Sequence, residues 1–153
     1  MSLGREVRRA AMAKAREMMH PGAECIGEND TLAEAARRMR DMNIGSMPIC
    51  GEDQRLQGII TDRDIVVRCV AEGRDPASVT AGELADGTPV WVDASADHEE
   101  VVRLLTQHKI RRLPVIDDHR LVGMISEADV ARHLPEKEVT EFARAIYSAP
   151  PNS

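Results

Sequence analysis

Aromatic residues, cysteines and long apolar runs are all scarce in this sequence of 153 residues. One Trp, one Tyr and one Phe leave a core that must be built mainly from Val, Ile, Leu, Met and Ala. No apolar run approaches the roughly 18 residues that read as a membrane span. The N-terminal segment is charged and lacks the apolar core of a secretory signal. We therefore expect a cytoplasmic protein with an aliphatic core and no membrane partner.

The sequence also lacks an excess of positive charge and the spacings typical of metal or catalytic sites. It has 20 Lys and Arg against 26 Asp and Glu, a net charge of −6, which disfavours a nucleic-acid partner. Neither a CxxC pair nor a pair of histidines four residues apart occurs, so we expect no metal site. No G-x-S-x-G or comparable nucleophile pattern occurs, and we expect no enzyme activity and no catalytic residues.

What the sequence does contain is an internal repeat. Slid against itself by 66 residues, the chain places similar residues on one another, and past one turn the offset falls to 65. Matched pairs include Arg37 with Arg103, Pro48 with Pro114, Gly58 with Gly123, Ile60 with Ile125 and Asp64 with Asp129. The one-residue difference falls in a predicted surface turn, where a change of length is tolerated. We infer a duplicated unit.

Each copy has the pattern of a β-α-β-β-α unit that follows a short opening helix. Leu32, Ala35, Ala36 and Met39 share one face of a predicted helix that Thr31 and Glu34 begin with a capping box. Two apolar runs joined by a turn predict a hairpin in each copy. The expected fold is α/β (α+β): two repeats packed with pseudo-twofold symmetry. The predicted domains are residues 12–74 and 79–135, followed by a C-terminal helix and tail, 136–153.

A motif of the form Gly-h-h-Thr/Ser-x-x-Asp, where h is apolar, closes the hairpin of each copy. It is GIITDRD at 58–64 and GMISEAD at 123–129, each about ten residues past a strand that contains a proline. With the β-α-β-β-α order, the chain resembles the CBS domain pair, or Bateman module, over residues 12 to 135. More narrowly, the segments MPICGEDQRLQGIITDRDIV and RLVGMISEADVARHLPE are similar to those of small two-CBS proteins of actinobacteria.

The resemblance implies a non-catalytic regulatory module that binds an adenosine-containing ligand such as AMP, ADP, ATP or S-adenosylmethionine and requires no cofactor. Asp64 and Asp129 would accept the ribose hydroxyls, and Thr61 and Ser126 would face the phosphates. The implied adenine contacts are Ile44, Met47 and Pro48 in one copy and Ile110, Leu113 and Pro114 in the other. Forked phosphate donors would be Arg63, Arg111 and Arg112. A homodimer and an unidentified protein partner are also expected.

Two alternatives stay open at this point. Thr61 with Asp64, and Ser126 with Asp129, also have the spacing of capping boxes, so both motifs could serve only to begin a helix. The chain would then be a stress-related structural or interaction protein with empty clefts. Similarly, Arg111 and Arg112 could be solvated or paired with acids instead of holding a phosphate.

The cysteines give a separate hypothesis. Cys25 lies in the first predicted strand of repeat one and Cys50 ends the second, so the two could face each other and form a disulfide that makes this half redox-sensitive. Their counterparts in repeat two are Trp91 and Ile116, which suggests instead four core positions. Cys69, on a predicted helix, is expected to be packed.

Overall fold

The computed structural model describes residues 13–22, 24–87 and 89–147. The described residues form two compact units, one of those from 24 to 89 and the other of 13–22 with 90–147. We call them the repeat-one unit and the repeat-two unit. Residue 12, where the first predicted domain begins, and the tail at 148–153 lie outside the described residues. None of the described helices has the length and apolar character to cross a membrane.

The repeat-one unit is built on a three-stranded sheet in which β2 (Ile26–Gly27), β3 (Ser46–Cys50) and β4 (Leu56–Thr61) lie in that order. Strands β2 and β3 run parallel, and β3 and β4 form the predicted antiparallel hairpin, with Pro48 opposite Ile59. The elements are β2 (Ile26–Gly27), α2 (Leu32–Met42), β3 (Ser46–Cys50), β4 (Leu56–Thr61), α3 (Asp62–Ile65), a π-helix that continues α3 (Val66–Val70) and a 3₁₀ helix (Ala81–Leu84).

Helix α2 shows how the local sequence sets an element. Thr31 Oγ1 accepts from the Glu34 N–H while the Glu34 side chain accepts from the Thr31 N–H, which confirms the predicted capping box. The helix ends at Asn43, which adopts a left-handed conformation (φ 54°). Leu32, Ala35 and Met39 are buried as expected, but Ala36 is exposed, because it follows Ala35 directly and lies beyond the edge of the buried stripe.

The repeat-two unit has a four-stranded sheet whose strands lie in the order β1 (His20–Pro21), β7 (Arg120–Ser126), β6 (Arg112–Asp117) and β5 (Val92–Asp93). Strands β6 and β7 form the second predicted hairpin, and Pro114 lies opposite Met124. Its elements are α1 (Ala15–Met18), β1 (His20–Pro21), β5 (Val92–Asp93), α4 (His98–His108), β6 (Arg112–Asp117), β7 (Arg120–Ser126), α5 (Glu127–His133) and α6 (Glu136–Tyr147). Helix α6 confirms the helix expected after Pro135, and its Phe142 and Ile146 join the core of this unit.

The opening segment of each sequence repeat packs in the unit of the other repeat. Residues 13–22 hydrogen-bond to repeat two: the Ala15 N–H donates to Ala96 O (2.8 Å) and the His98 N–H to Ala13 O (3.0 Å). The segment around the 3₁₀ helix does the same in repeat one, where the Ala81 N–H donates to Asp30 O (2.8 Å). Each compact unit therefore combines a sequence repeat with an opening segment from elsewhere in the chain.

Candidate functional site

The first motif sits where β4 ends and α3 begins. Thr61 Oγ1 accepts from the Asp64 N–H (3.0 Å), and Asp64 Oδ2 accepts from the Thr61 N–H (3.0 Å), so the two residues form a reciprocal cap. Within the described residues, nothing hydrogen-bonds to Asp64 Oδ1, and the Thr61 hydroxyl donates to no group. Both side chains are half-buried. The cap therefore leaves one carboxylate oxygen and one hydroxyl proton able to meet a ligand.

The second motif has the same cap but a different carboxylate environment. Asp129 Oδ2 accepts from the Ser126 N–H (2.8 Å) and from the Ser126 hydroxyl (2.9 Å). Asp129 Oδ1 lies 2.9 Å from His20 Nε2 and also accepts from the Arg132 guanidinium. The Asp129 side chain is 1% exposed. Both of its oxygens are engaged, and the Ser126 hydroxyl is used inside the motif.

The predicted phosphate donors have different surroundings. Arg63 is exposed, whereas Arg111 and Arg112 are half-buried, and none of the three forms an ion pair within the described part of the chain. The Arg111 guanidinium carbon lies 5.7 Å from the centre of the Tyr147 ring, a cation–π contact with helix α6. Arg111 Nε is buried without a hydrogen-bond partner. Arg111 is thus held by an aromatic ring and not by an acid.

The residues predicted to contact adenine lie mostly inside the units. Met47 and Leu113 are 0% exposed and belong to the cores, and Pro48 and Pro114 are buried beside them in β3 and β6. Ile110 is half-buried, and Ile44 is 38% exposed. Of these six side chains, Ile44 presents the most free surface to a ligand.

Cys25 and Cys50 are joined by a disulfide across a sequence separation of 25 residues. The backbone on either side is tied down as well, because the Arg38 guanidinium donates to Cys25 O (2.8 Å) and the Glu28 N–H to Cys50 O (3.0 Å). Cys69 is a buried free thiol, as expected. The alternative that all four positions lie in the core is wrong for Trp91, which is 43% exposed because it precedes the inward-facing Val92 of β5.

Two residues at the second motif were not anticipated from the sequence. His20 and Arg132 both reach Asp129, although neither belongs to the repeated motif. The spacing of Asp129 and Arg132 is that of neighbours on one helix face and could have indicated the second contact. Nothing in the local sequence points to His20, because its contact with Asp129 depends on the packing of segment 13–22 in the repeat-two unit.

A cavity of about 310 Å³ lies between α4 and α6 in the repeat-two unit. Its lining residues are Val102, Thr106, Leu134, Glu138, Glu141 and Phe142. None of them belongs to either motif, and the two glutamates would repel a phosphate. We assign no nucleotide to this cavity.

Comparison with known proteins gives a consistent family. The family model for the CBS domain matches residues 15–70 and 81–136. The chain is 50% identical over 137 residues to Hypoxic response protein 1 of Mycobacterium tuberculosis, a match that covers 90% of this chain and 96% of that protein. It is 37% identical to the CBS domain-containing protein YhcV of Bacillus subtilis, over 78% of this chain and 84% of that protein.

Solved structures agree. The crystal structure of Hypoxic Response Protein I with two coordinated zinc ions has a TM-score of 0.74 and 51% identity, over 80% of this chain and all of that one. The structure of CBSX2 in complex with AMP has a TM-score of 0.67 over 78% of this chain and 93% of that one, but 22% identity, and so shows the fold alone.

Zinc in the relative raises the question of a metal here. Among the residues that the structure describes, no three His, Cys, Asp or Glu side chains gather to hold a metal ion. We assign no role to zinc in this chain, and the absence of a metal site stays a prediction.

CBS domains are in general regulatory and non-catalytic, and the family model that matches this chain is not that of an enzyme family. The duplicated motif, the two hairpin-based sheets and the sequence matches agree with one another. The chain belongs to the CBS domain family and carries two CBS domains.

Proposed function

We propose that this protein is a regulatory module that binds an adenosine nucleotide through the first motif, with Asp64 as the ribose acceptor. The observation that carries this proposal is the free Oδ1 of Asp64, beside a Thr61 hydroxyl whose proton no described group accepts. A carboxylate oxygen is a strong acceptor for a sugar hydroxyl, and a hydroxyl can donate to a phosphate. Arg63 lies between Thr61 and Asp64 in the sequence and is the candidate donor to the phosphate. It is exposed and forms no ion pair within the described residues.

AMP is the first ligand to test, because CBSX2, which shares this fold, forms a complex with it. ADP, ATP and S-adenosylmethionine carry the same adenosine group and are the further candidates. The adenine would contact Ile44 first, since Met47 is a core residue. The second motif would bind a nucleotide in the same way only if Asp129, whose two oxygens are both engaged, were released. The residues proposed for that second site are Ser126, Asp129, Ile110, Leu113, Pro114, Arg111 and Arg112.

Calorimetric titration with each ligand, on the wild type and on Asp64→Asn, tests the proposal. The amide oxygen of Asn can still accept the Thr61 N–H, so the substitution keeps the cap and removes the charge. A hydrogen bond to a charged group is worth about 1.5–3 kcal/mol, so we expect AMP to bind about 10- to 100-fold more weakly. Asp129→Asn is the matched control. Binding that is unchanged in Asp64→Asn would make the first motif a cap only.

Self-association is a further part of the proposed function. Val66, Val67 and Val70 are 57%, 43% and 56% exposed on the π-helix, and an exposed apolar patch on a small protein often marks an interface. We expect a homodimer through this patch, with a protein partner, still unidentified, that responds to the bound nucleotide. Sedimentation of Val66→Glu beside the wild type tests this, and a dimer that persists undiminished counts against it.

The disulfide favours a second candidate function, a stress-related interaction protein whose state depends on redox conditions. In the cytoplasm, the compartment we propose, disulfides are rarely permanent, so the bond between Cys25 and Cys50 would report oxidation. The two functions differ in one measurement. If no adenosine ligand binds to the reduced or the oxidised protein while reduction changes partner binding, the second candidate replaces the first.

A further inference from the structure

His20 covers the carboxylate of the second motif. Its Nε2 lies 2.9 Å from Asp129 Oδ1, and the His20 side chain is 74% exposed while that of Asp129 is 1% exposed. Arg132 shares the same oxygen, and Ser126 holds the other one. A ribose hydroxyl would therefore have to displace a side chain of the protein before it could bind to Asp129.

The position of His20 is built into the fold. Strand β1 pairs antiparallel with β7, with His20 opposite Met124 and Pro21 opposite Gly123. The Gly22 N–H donates to Val122 O (3.1 Å) and extends this pairing. The backbone hydrogen bonds of β1 thus place residue 20 beside the second motif.

The first motif lacks a counterpart of either residue that holds Asp129. The 66-residue offset places His20 on Asp86, and the 65-residue offset places Arg132 on Val67. Asp86 has the same charge as Asp64 and pairs instead with Arg68, whose terminal nitrogens lie 3.1 and 3.3 Å from its carboxylate oxygens. Val67 cannot donate a hydrogen bond. The free oxygen of Asp64 and the engaged carboxylate of Asp129 therefore follow from these two substitutions between the repeats.

We propose that His20 and Arg132 close the second motif, so that the chain takes one adenosine nucleotide, at Asp64, and opens a second site only when the segment carrying His20 leaves Asp129. This inference rests on the proposed function, because it concerns the same class of ligand. It makes residue 20 the determinant of how many nucleotides each chain binds. It also makes nucleotide binding at Asp129 and docking of strand β1 compete with each other.

The test is AMP stoichiometry by calorimetry in the wild type and in His20→Ala/Arg132→Val, which removes both partners of Asp129. We expect one equivalent per chain in the wild type and two in the double variant. Adding Asp64→Asn should weaken the single equivalent of the wild type about 10- to 100-fold but leave one equivalent of undiminished affinity in the double variant, and Asp129→Asn should then weaken that equivalent by a similar factor. His119→Ala/Arg120→Val changes the same residue types in and beside the exposed β6–β7 turn and should keep one equivalent.

Hydrogen exchange on the nucleotide-free protein tests the contact itself. We expect the amide of Gly22 to exchange several-fold faster in His20→Ala/Arg132→Val than in the His119→Ala/Arg120→Val control. Equal exchange of the Gly22 amide in the two variants would overturn the inference that the contact of His20 with Asp129 closes the second motif. Two equivalents in the wild type, or a first equivalent without a second in the double variant, would overturn the inference and leave the proposed function standing. If no variant binds AMP, the proposed function and the nucleotide stoichiometry are both overturned. Hydrogen exchange at the Gly22 amide would still decide whether the contact of His20 with Asp129 keeps β1 paired with β7.

Discussion

Gly123 of β7 lies directly beneath Met19: a Cβ atom on Gly123 would come 2.4 Å from the Met19 sulfur and 2.7 Å from the carbonyl oxygen of His20. The matching glycine of repeat one, Gly58, lies against Ala85, where a Cβ would be 3.1 Å from the Ala85 Cβ. The glycine of the repeated motif thus gives the exchanged opening segment of each unit room to approach the sheet.

We therefore expect Gly123→Ala to be more harmful than Gly58→Ala. The added methyl group at 123 has to displace the backbone of His20, and overpacking of this kind costs typically about 1–3 kcal/mol. At position 58 the neighbours need to yield by only a few tenths of an ångström. Urea unfolding of the two variants measures the difference. Equal free energies of unfolding would mean that segment 13–22 does not rest on β7 in solution.

The disulfide predicts a redox-dependent stability. Cys25 and Cys50 close a loop with a sequence separation of 25 residues, and the chain-entropy model gives about 3.5 kcal/mol for a loop of that length. We expect the oxidised protein to unfold at a higher urea concentration than the reduced one. Cys25→Ser/Cys50→Ser should behave like the reduced protein and no longer respond to reductant, whereas Cys69→Ala should still respond. Identical unfolding with and without reductant would contradict the bond.

Much of this fold follows from local sequence. The capping box at Thr31, the two hairpins and helix α6 were predictable because each rests on neighbours in the chain. The first strand of each copy, which the sequence predicts as AECIG at 23–27 and PVWVD at 89–93, is shorter in the structure, Ile26–Gly27 and Val92–Asp93. The helix expected after Thr61 continues as a π-helix. Strand β1 was not predicted, since it has two residues and one of them is Pro21.

The candidate site was predictable in part. The repeat register identified Asp64 and Asp129 as equivalent, but equivalence of sequence hides a difference of environment. The alignment of the two sequence repeats shows which residues correspond. It does not show that segment 13–22 packs on β7 or that His20 thereby reaches Asp129. That contact joins residues far apart in the chain, so only the tertiary fold reveals it.

Acid should weaken the start of the 3₁₀ helix. Glu83 accepts from the Thr80 N–H (2.7 Å) and from Arg74 (3.0 Å), and these hydrogen bonds, the first above all, hold the pKa of Glu83 below its ordinary value of 4.5. A carboxyl whose pKa is lowered by folding stabilises the native state above its unfolded pKa, and this contribution is lost as the pH falls through the folded value.

We expect an NMR titration of the Glu83 carboxyl to give a midpoint below 4.5. In Arg74→Gln the midpoint should move up only part of the way, since the Thr80 N–H remains. Glu83→Gln should lose less stability between pH 5 and pH 3 than the wild type. A midpoint at or above the ordinary value would show that the carboxylate does not cap the 3₁₀ helix in solution.

The last turn of α6 offers two adjacent residues with opposite burial. Ile146 is 0% exposed and lies in the core of the repeat-two unit, whereas Tyr147 is 69% exposed and contacts Arg111 through its ring. Truncating a buried isoleucine removes packing and leaves a cavity, which costs about 2–5 kcal/mol. An exposed cation–π pair is worth about 0.5–1 kcal/mol. Ile146→Ala should therefore lower the free energy of unfolding by more than Tyr147→Ala, measured in urea. If the two variants unfold alike, helix α6 is not part of the core of this unit in solution, and the contact of Arg111 with Tyr147 falls with it.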